Sequence, residues 1–351
     1  MSRKALVLLS VLMLIIGVSI SQAADSKLPT NLKGLEKCVP DNAVLVGLID
    51  AKAILGSPIA KALDVNNLLA VANKNMKAEG INIQVQDIKR IVMVATDYEN
   101  EPVAYFEMNK AIKSLKDIAD SKKVSKSSKY KGVDCQEFAD GPVAAMLSGT
   151  IVLMGQDDSV KAAIDGFQGK KGTTVKCSDK MKKTFASLNS QKNFFAMEIP
   201  KDASAGLAQM GMDFSMDVAS FSFAIADKLS LNGVIGTENP EQASQMAMMI
   251  PGMVSMFKMQ MQGAPAMLAQ QESAIKKQIA DGDKEALADL KELQVQKKQM
   301  EAGMSLMDLL GAVKFAAQDK DLTIKLDMPK EKVVSMFKPM IDQALKEMAK
   351  E

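Results

Sequence analysis

The 351-residue chain contains no histidine and no tryptophan, and only three cysteines. The missing imidazole removes the commonest general base near neutral pH. It also removes Ser-His and Cys-His nucleophile pairs, histidine-bearing zinc sites and the two-histidine facial iron site. Carboxylate, Lys, Ser and Tyr chemistry stays open. Aromatic residues are scarce, at 4%, so a sugar-stacking cleft has little to be built from. No glycine-rich phosphate loop occurs. Beyond residue 23 no uncharged apolar run reaches spanning length; Met246 to Phe257 holds only 12 residues and carries a Pro-Gly pair.

What is present describes a globular protein. Hydrophobic residues make up 47% and charged residues 25%, outside the disordered range. The length allows one large domain or two ordinary ones. Arg3 and Lys4 precede a 16-residue uncharged run, Ala5 to Ile20, and then Ser21-Gln22-Ala23. This is the three-part layout of a secretory signal cut after Ala23. An uncleaved signal would instead leave the chain tethered to a membrane. The chain is therefore expected to be exported, periplasmic or extracellular, with no stable membrane insertion after cleavage.

Beyond residue 23 basic and acidic residues are equal, at 42 each. That balance gives no footprint for nucleic acid or an anionic membrane. Lys122 to Lys131, with five Lys and three Ser, reads as a solvated loop. Export permits disulfides. Cys38, Cys135 and Cys177 allow three alternative single bridges, each leaving one thiol over. Three buried thiols are the equal alternative.

Apolar patterning predicts strands at Ala43 to Ile49, Ile91 to Ala95, Val103 to Met108, Val133 to Phe138, Val143 to Leu147, Ile151 to Gly155 and Phe194 to Ile199. Hairpins are expected about Asp227-Lys228 and about Asp319-Lys320-Asp321. Helices are expected over Ala51 to Met76 (broken at Gly56-Ser57-Pro58), Lys110 to Ala119 and Asp158 to Phe167, from Pro240 onward, and from Pro329 to Met348. A unit of strand, acidic turn, strand and helix thus recurs near 91–120, 143–167, 219–257 and 312–348. The pentapeptide Val-Ser-Met-Phe-Lys, ending at Lys258 and Lys338, does not keep register with these units. The expected class is α+β: repeated hairpin-plus-helix units forming antiparallel sheets with helices on one face. Met267 to Ile279 and Lys284 to Met304 add a helical hairpin, read as a packed layer or a projecting arm. The expected division is a signal over 1–23, an α+β domain over 24–200, and a second over 201–351 carrying the hairpin as an insertion at 264–304.

The opening Val39-Pro40-Asp41-Asn42-Ala43-Val44-Leu45-Val46, with Asp50, resembles the start of a group of uncharacterised secreted bacterial α+β proteins. In these a Pro-Asp-x-Ala or Pro-Asp-x-Thr turn leads into a first strand ending in Asp. The resemblance covers the layout of about residues 38 to 250 and only a few motif positions. It implies an exported α+β protein and transfers no catalytic or binding residue.

The sharpest chemical feature is methionine. Of 27 Met, eight crowd into residues 246–267. Met246, Met249, Met253 and Met256 fall on one helical face, with Met259 and Met261 following. Thioethers suit Cu(I), yet such a stripe more often forms core or a plastic binding surface. Ser-x-x-Lys occurs at Ser255/Lys258, Ser273/Lys276 and Ser335/Lys338, without the further motifs a serine–lysine acylase needs. Asp157-Asp158 and Asp281-Gly282-Asp283 lack the continuation of a Ca²⁺ loop and read as helix caps. No catalytic residue, cofactor or metal site is assigned. The expectation is an exported, non-enzymatic binding or interaction protein of the cell envelope. It would meet a protein partner or apolar ligand through Met246, Met249, Met253, Met256, Met259 and Met261 and the helical hairpin. The alternatives are a Cu(I)-binding periplasmic protein and a hydrolase using carboxylates or Lys.

Overall fold

A computed structural model describes residues 30–40, 42–78, 81–98, 101–118, 120, 124–139, 141–169, 178–200, 215–281 and 286–348. The signal-like segment 1–23, Cys177 and the turn at 282–283 lie outside them.

Twelve strands form one antiparallel sheet: β1 (Leu45–Ile49), β2 (Ile88–Ala95), β3 (Val103–Met108), β4 (Val124–Tyr130), β5 (Val133–Phe138), β6 (Val143–Ser148), β7 (Ile151–Gly155), β8 (Asn193–Glu198), β9 (Met216–Ile225), β10 (Lys228–Thr237), β11 (Lys314–Gln318) and β12 (Asp321–Pro329). Their order is β11-β12-β10-β9-β8-β1-β2-β3-β7-β6-β5-β4. The helices are α1 (Ala51–Leu55), α2 (Pro58–Ala62), α3 (Val65–Ala78), α4 (Asp157–Gly169), α5 (Asp179–Ser187), α6 (Pro240–Gln262), α7 (Ala264–Ala280), α8 (Ala286–Ala312) and α9 (Lys330–Met348). The architecture is α+β. β8 pairs with β9, so the expected boundary at 200/201 falls between two neighbouring strands of a continuous sheet.

Register decides which face each strand buries. Side chains alternate along a strand, and directly paired residues share a face. Val46, Leu48, Val92, Val94, Tyr105 and Leu153 share one face and pack under α4 and α5. Leu229, Leu231, Leu326 and Met328 lie on the opposite face, under α2, α3 and α9. Leu322 and Ile324 share that opposite face, under α6. α4 and α5 thus cover one face of the N-terminal half, and α6 and α9 the opposite face of the C-terminal half; α1 adds to that opposite face, Ala51 and Ile54 packing with Ile49, Ile91 and Val152.

Local chemistry sets the helix starts. The Asp50 side chain accepts from Ala53 N at 2.8 Å and caps α1. Ser57 caps α2, with Pro58 at its first position. The helix expected over Ala51 to Met76 is broken twice, because Asp64 takes a left-handed φ of +56° just after buried Leu63. Three of the expected hairpin-plus-helix units form, at β6-β7-α4, β9-β10-α6 and β11-β12-α9.

The first unit departs from expectation. Among the described residues 110–118 no α-helix forms, and the helical turn there is 3-10, Leu115–Asp117. Ser114 and Asp117 close that turn as a reciprocal capping box. Ile112 N donates to Gly149 O at 2.6 Å, which ties the segment to the β6–β7 turn. Ile112, Leu115 and Ile118 recur every three residues, a spacing that serves a 3-10 turn and a linker as well as an α-helix.

Lys122 to Lys131 also departs: Val124–Tyr130 is the edge strand β4, its middle residues exposed. Backbone pairing with β5 carries its middle, while Val124 and Tyr130 at its two ends pack against the cores. Lys residues on such an edge disfavour pairing with another sheet. Cys38 and Cys135 are buried thiols, not a disulfide; any bridge to Cys177 lies outside the described residues.

Beyond residue 23, Arg90 is the only arginine. It pairs with Glu107 and donates to Asn31 O at 2.6 Å and Lys33 O at 3.1 Å. It thereby pins the 3-10 turns that bury Leu32, Leu35 and Cys38. Burial pushes the Glu107 carboxyl up, but hydrogen bonds from Arg90 and Lys89 and their charges more than reverse this, leaving it below its ordinary value. We expect Arg90→Met to cost about 2–3 kcal/mol at pH 7, since hydrogen bonds to charged groups are worth about 1.5–3. A depressed carboxylate stabilises above its unfolded pKa, roughly 4.3. That contribution is lost as pH falls through the folded value. The gap between urea midpoints of wild type and variant should therefore narrow in acid, leaving the part carried by the Asn31 and Lys33 carbonyls. A gap that persists undiminished at pH 3 would refute the pair's role.

Candidate functional site

The methionine-rich helix starts at a well-made cap. Gln242 N donates to Asn239 Oδ1 at 3.0 Å, and Glu238 N donates to Gln242 Oε1 at 3.3 Å. Pro240 and Glu241 fill the first turn, where a missing N–H and a negative charge are both tolerated. The Thr237 hydroxyl lies between Asn239 O at 2.9 Å and Lys320 O at 2.7 Å, its single proton shared between them, which fixes this entry to the β11–β12 turn.

From there the predicted stripe runs into the sheet and then out of it. Ala243 and Met246 are buried, and Met246, Met249 and Ile250 pack against Phe315, Leu322 and Ile324. Met253 is half-buried, Met256 is exposed and Met259 more so. Met261 lies within α6, but its side chain is outside the described residues. The upstream half of the stripe is thus core, and only its downstream half reaches solvent.

A second face was not legible in the sequence. Met248 is 72% exposed, Met259 65%, Met256 47% and Phe257 45%. Met248, Gly252, Ser255 and Met259 follow i, i+4, i+7, i+11 spacing, one side of a helix. Met267, on the first turns of α7, is 63% exposed. Between Glu241 and Glu272 the only charged residue is Lys258, and Asp308 of α8 holds it at 2.7 Å. A surface helix ordinarily carries charge on its outer face; this one presents the thioethers of Met248 and Met259, with Met256 exposed beside them and Phe257 exposed on the far side.

The hairpin α7–α8 packs on itself and on α6. Glu272 joins its two helices, bonded to Lys276 at 2.6 Å and to Lys297. These two lysines hold its carboxyl at about 2. At the far end of α8, Leu309 and Ala312 pack into the C-terminal core.

The serine–lysine pairs do not assemble. Ser255 Oγ donates to Pro251 O at 2.9 Å, Ser273 Oγ to Ala269 O at 3.1 Å, and Ser335 Oγ to Lys332 O at 2.9 Å. Lys258, Lys276 and Lys338 pair with Asp308, Glu272 and Asp342. Asp157 pairs with Lys161 inside α4. Among the described residues no three His, Cys, Asp or Glu side chains stand together as a metal-binding group. Nor is any described helix long and apolar enough to cross a membrane.

No protein-family model matches the chain, and no curated protein matches it. Its arrangement of elements is similar to crystal structures of TP0453. Crystal form III shares 7% identity over 86% of this chain and 97% of that one, with a TM-score of 0.43. Crystal form I shares 7% over 86% and 96%, with a TM-score of 0.40.

Proposed function

We propose that this chain is an exported binding protein of the cell envelope that engages a protein partner through its methionine-rich helix. The observation behind the reading is the exposed set Met248, Met256, Phe257, Met259 and Met267 on a stretch with a single charge. Large exposed apolar side chains that the core does not need mark an interaction site. Unbranched thioether side chains adapt to differently shaped partners. A convex helix face suits an apolar groove on the partner, the helix-in-groove mode.

The test is quantitative capture from envelope fractions, comparing wild type with Met248→Gln/Met256→Gln/Met259→Gln. Surface changes of this kind alter stability by about 0.5 kcal/mol or less each, so folding and binding separate cleanly. Replacing three apolar side chains at the interface with polar ones should weaken capture at least tenfold. Capture at wild-type strength would overturn the reading. Export is checked separately: mass spectrometry of the recovered chain should show an N-terminus at Ala24.

A further inference from the structure

Sulfur is where a peroxide oxidises a protein, and access decides which sulfur reacts. The chain holds 27 Met and three Cys, with no His and no Trp to compete for oxidant. Cys38 and Cys135 are buried thiols. Burial pushes the Cys135 thiol up, which keeps it protonated, and a buried, protonated thiol is inert. A thioether has no proton to lose, so exposure alone limits it. Among the described residues five methionines are exposed. Met248, Met256 and Met259 lie on α6 and Met267 on the first turns of α7; the fifth, Met340, is on α9.

The same helix carries a protected set. Met246 is buried, and Met249 packs with it against Leu322. A peroxide reaches these two fully only when α6 opens from the sheet, a local event with its own free-energy cost. Oxidation of α6 therefore falls into two stages. In the first, each new S=O group projects into water and disturbs no packed contact. In the second, a polar group is forced against the sheet and the helix is released. The step itself balances. The sulfur lone pair attacks one peroxide oxygen, and an S–O bond forms as the O–O bond breaks. The departing hydroxide takes the proton of the sulfur-bound hydroxyl and leaves as water. Sulfur loses two electrons and the peroxide gains them.

We propose that Met248, Met256, Met259 and Met267 are a reversible oxidation site for peroxides, and that their sulfoxides turn the exposed apolar side of α6 polar and release its partner. A sulfoxide replaces a flexible apolar side chain with a polar, chiral one, and dedicated reductases, one for each epimer, restore the thioether. The first stage is thus a switch and the second is damage. The oxidation stands on access and sulfur chemistry; the release of a partner rests on the binding role proposed for α6.

The test is titration of the full chain with hydrogen peroxide, a metal chelator present, mapped by fragmentation mass spectrometry of its peptides. Met248, Met256, Met259 and Met267 should oxidise at least tenfold faster than the buried Met246, Met181 and Met328. At the end of that stage the urea midpoint should be unchanged and retention on a hydrophobic-interaction column should fall. Capture from envelope fractions should drop at least tenfold and return after treatment with the reductases for both epimers. Met248→Leu/Met256→Leu/Met259→Leu/Met267→Leu keeps the apolar surface without its thioethers, so capture by this variant should survive peroxide. Met340→Leu should stay as sensitive as wild type. Equal rates for exposed and buried methionines, unfolding in step with the first sulfoxides, or unchanged retention would each overturn the proposal. So would full capture by the oxidised chain. A reduced chain that captures nothing would sink the binding role of α6 and the release of a partner with it, while rates and retention would still decide the oxidation site.

Discussion

Replacing Gly47 with valine should cost the fold about 3 kcal/mol or more, at the upper end of overpacking losses. Local propensity points the other way: valine is a strong strand former and glycine a poor one, over a range of about 1 kcal/mol. Tertiary geometry decides the sign. Gly47 sits in β1 opposite Phe195 of β8 and Met93 of β2. A Cβ added there would lie 2.4 Å from Phe195 Cε1 and 2.5 Å from Cδ1. The ring therefore lies across the glycine, filling the space a side chain would take, and any substituent must evict it. The same device recurs at Gly233, where a Cβ would meet the Phe221 ring at 3.1 Å and Ile324 Cβ at 3.0 Å. Aromatic cover over a strand glycine replaces the packing the glycine lacks. Gly47→Ala should be milder, about 1–2 kcal/mol. In a Phe195→Ala background it should turn neutral or stabilising, because the clash is gone and the unfolded chain loses freedom. Urea midpoints for the four-member cycle measure this. A Gly47→Ala penalty of the same size in the Phe195→Ala background would mean the ring is not the obstacle.

That example shows what the sequence could and could not reveal. Hairpins about Asp227-Lys228 and Asp319-Lys320 were legible because a local turn and flanking alternation specify both partners of a pair. The placement of β1 between β2 and β8 was not, since β8 lies more than a hundred residues downstream and no local pattern records its partner. Nor was the face of the sheet that each helix covers. It depends on register carried across several strands, and every strand reads alike from its own residues. β4 was hidden for another reason: Ser125 to Lys129 give no apolar alternation, and only backbone pairing makes them a strand. Short α5 was missed because Lys residues surround Met181 and Phe185, the i, i+4 pair it buries.

The methionine helix failed more instructively. Met246, Met249, Met253 and Met256 form the most regular stripe, and regularity is what burial selects. Its first half is accordingly in the core. The exposed face through Met248 and Met259 is interrupted in sequence by Gly252 and Ser255, so periodicity alone passes over it. A face that is apolar yet not needed by the core shows only in coordinates.

The second large effect belongs to a buried amide. Asn193, 3% exposed at the start of β8, accepts from Asp50 N at 2.7 Å through Oδ1 and donates to Phe223 O at 3.2 Å through Nδ2. Asp50 is itself the residue that ends β1 and caps α1. One side chain thus fixes the exit of β1, the entry to α1 and the inner face of β9. Asn193→Leu preserves volume but strands two backbone groups away from water, each costing about 1–3 kcal/mol. We expect a loss of about 3–4 kcal/mol in urea unfolding on that basis. Asn193→Asp separates polarity from volume. Its carboxylate still accepts from Asp50 N, but it faces the Phe223 carbonyl with lone pairs and carries an unpaired buried charge. Burial would raise the folded pKa of that new carboxyl above its unfolded value. A raised carboxyl favours folding below the unfolded pKa and loses that support as pH rises through the folded one. The gap between wild type and Asn193→Asp should accordingly narrow from pH 7 to pH 4, while the gap for Asn193→Leu should not. If both gaps move together with pH, or if neither variant loses stability, the amide is filling space and the strand junction is held by something else.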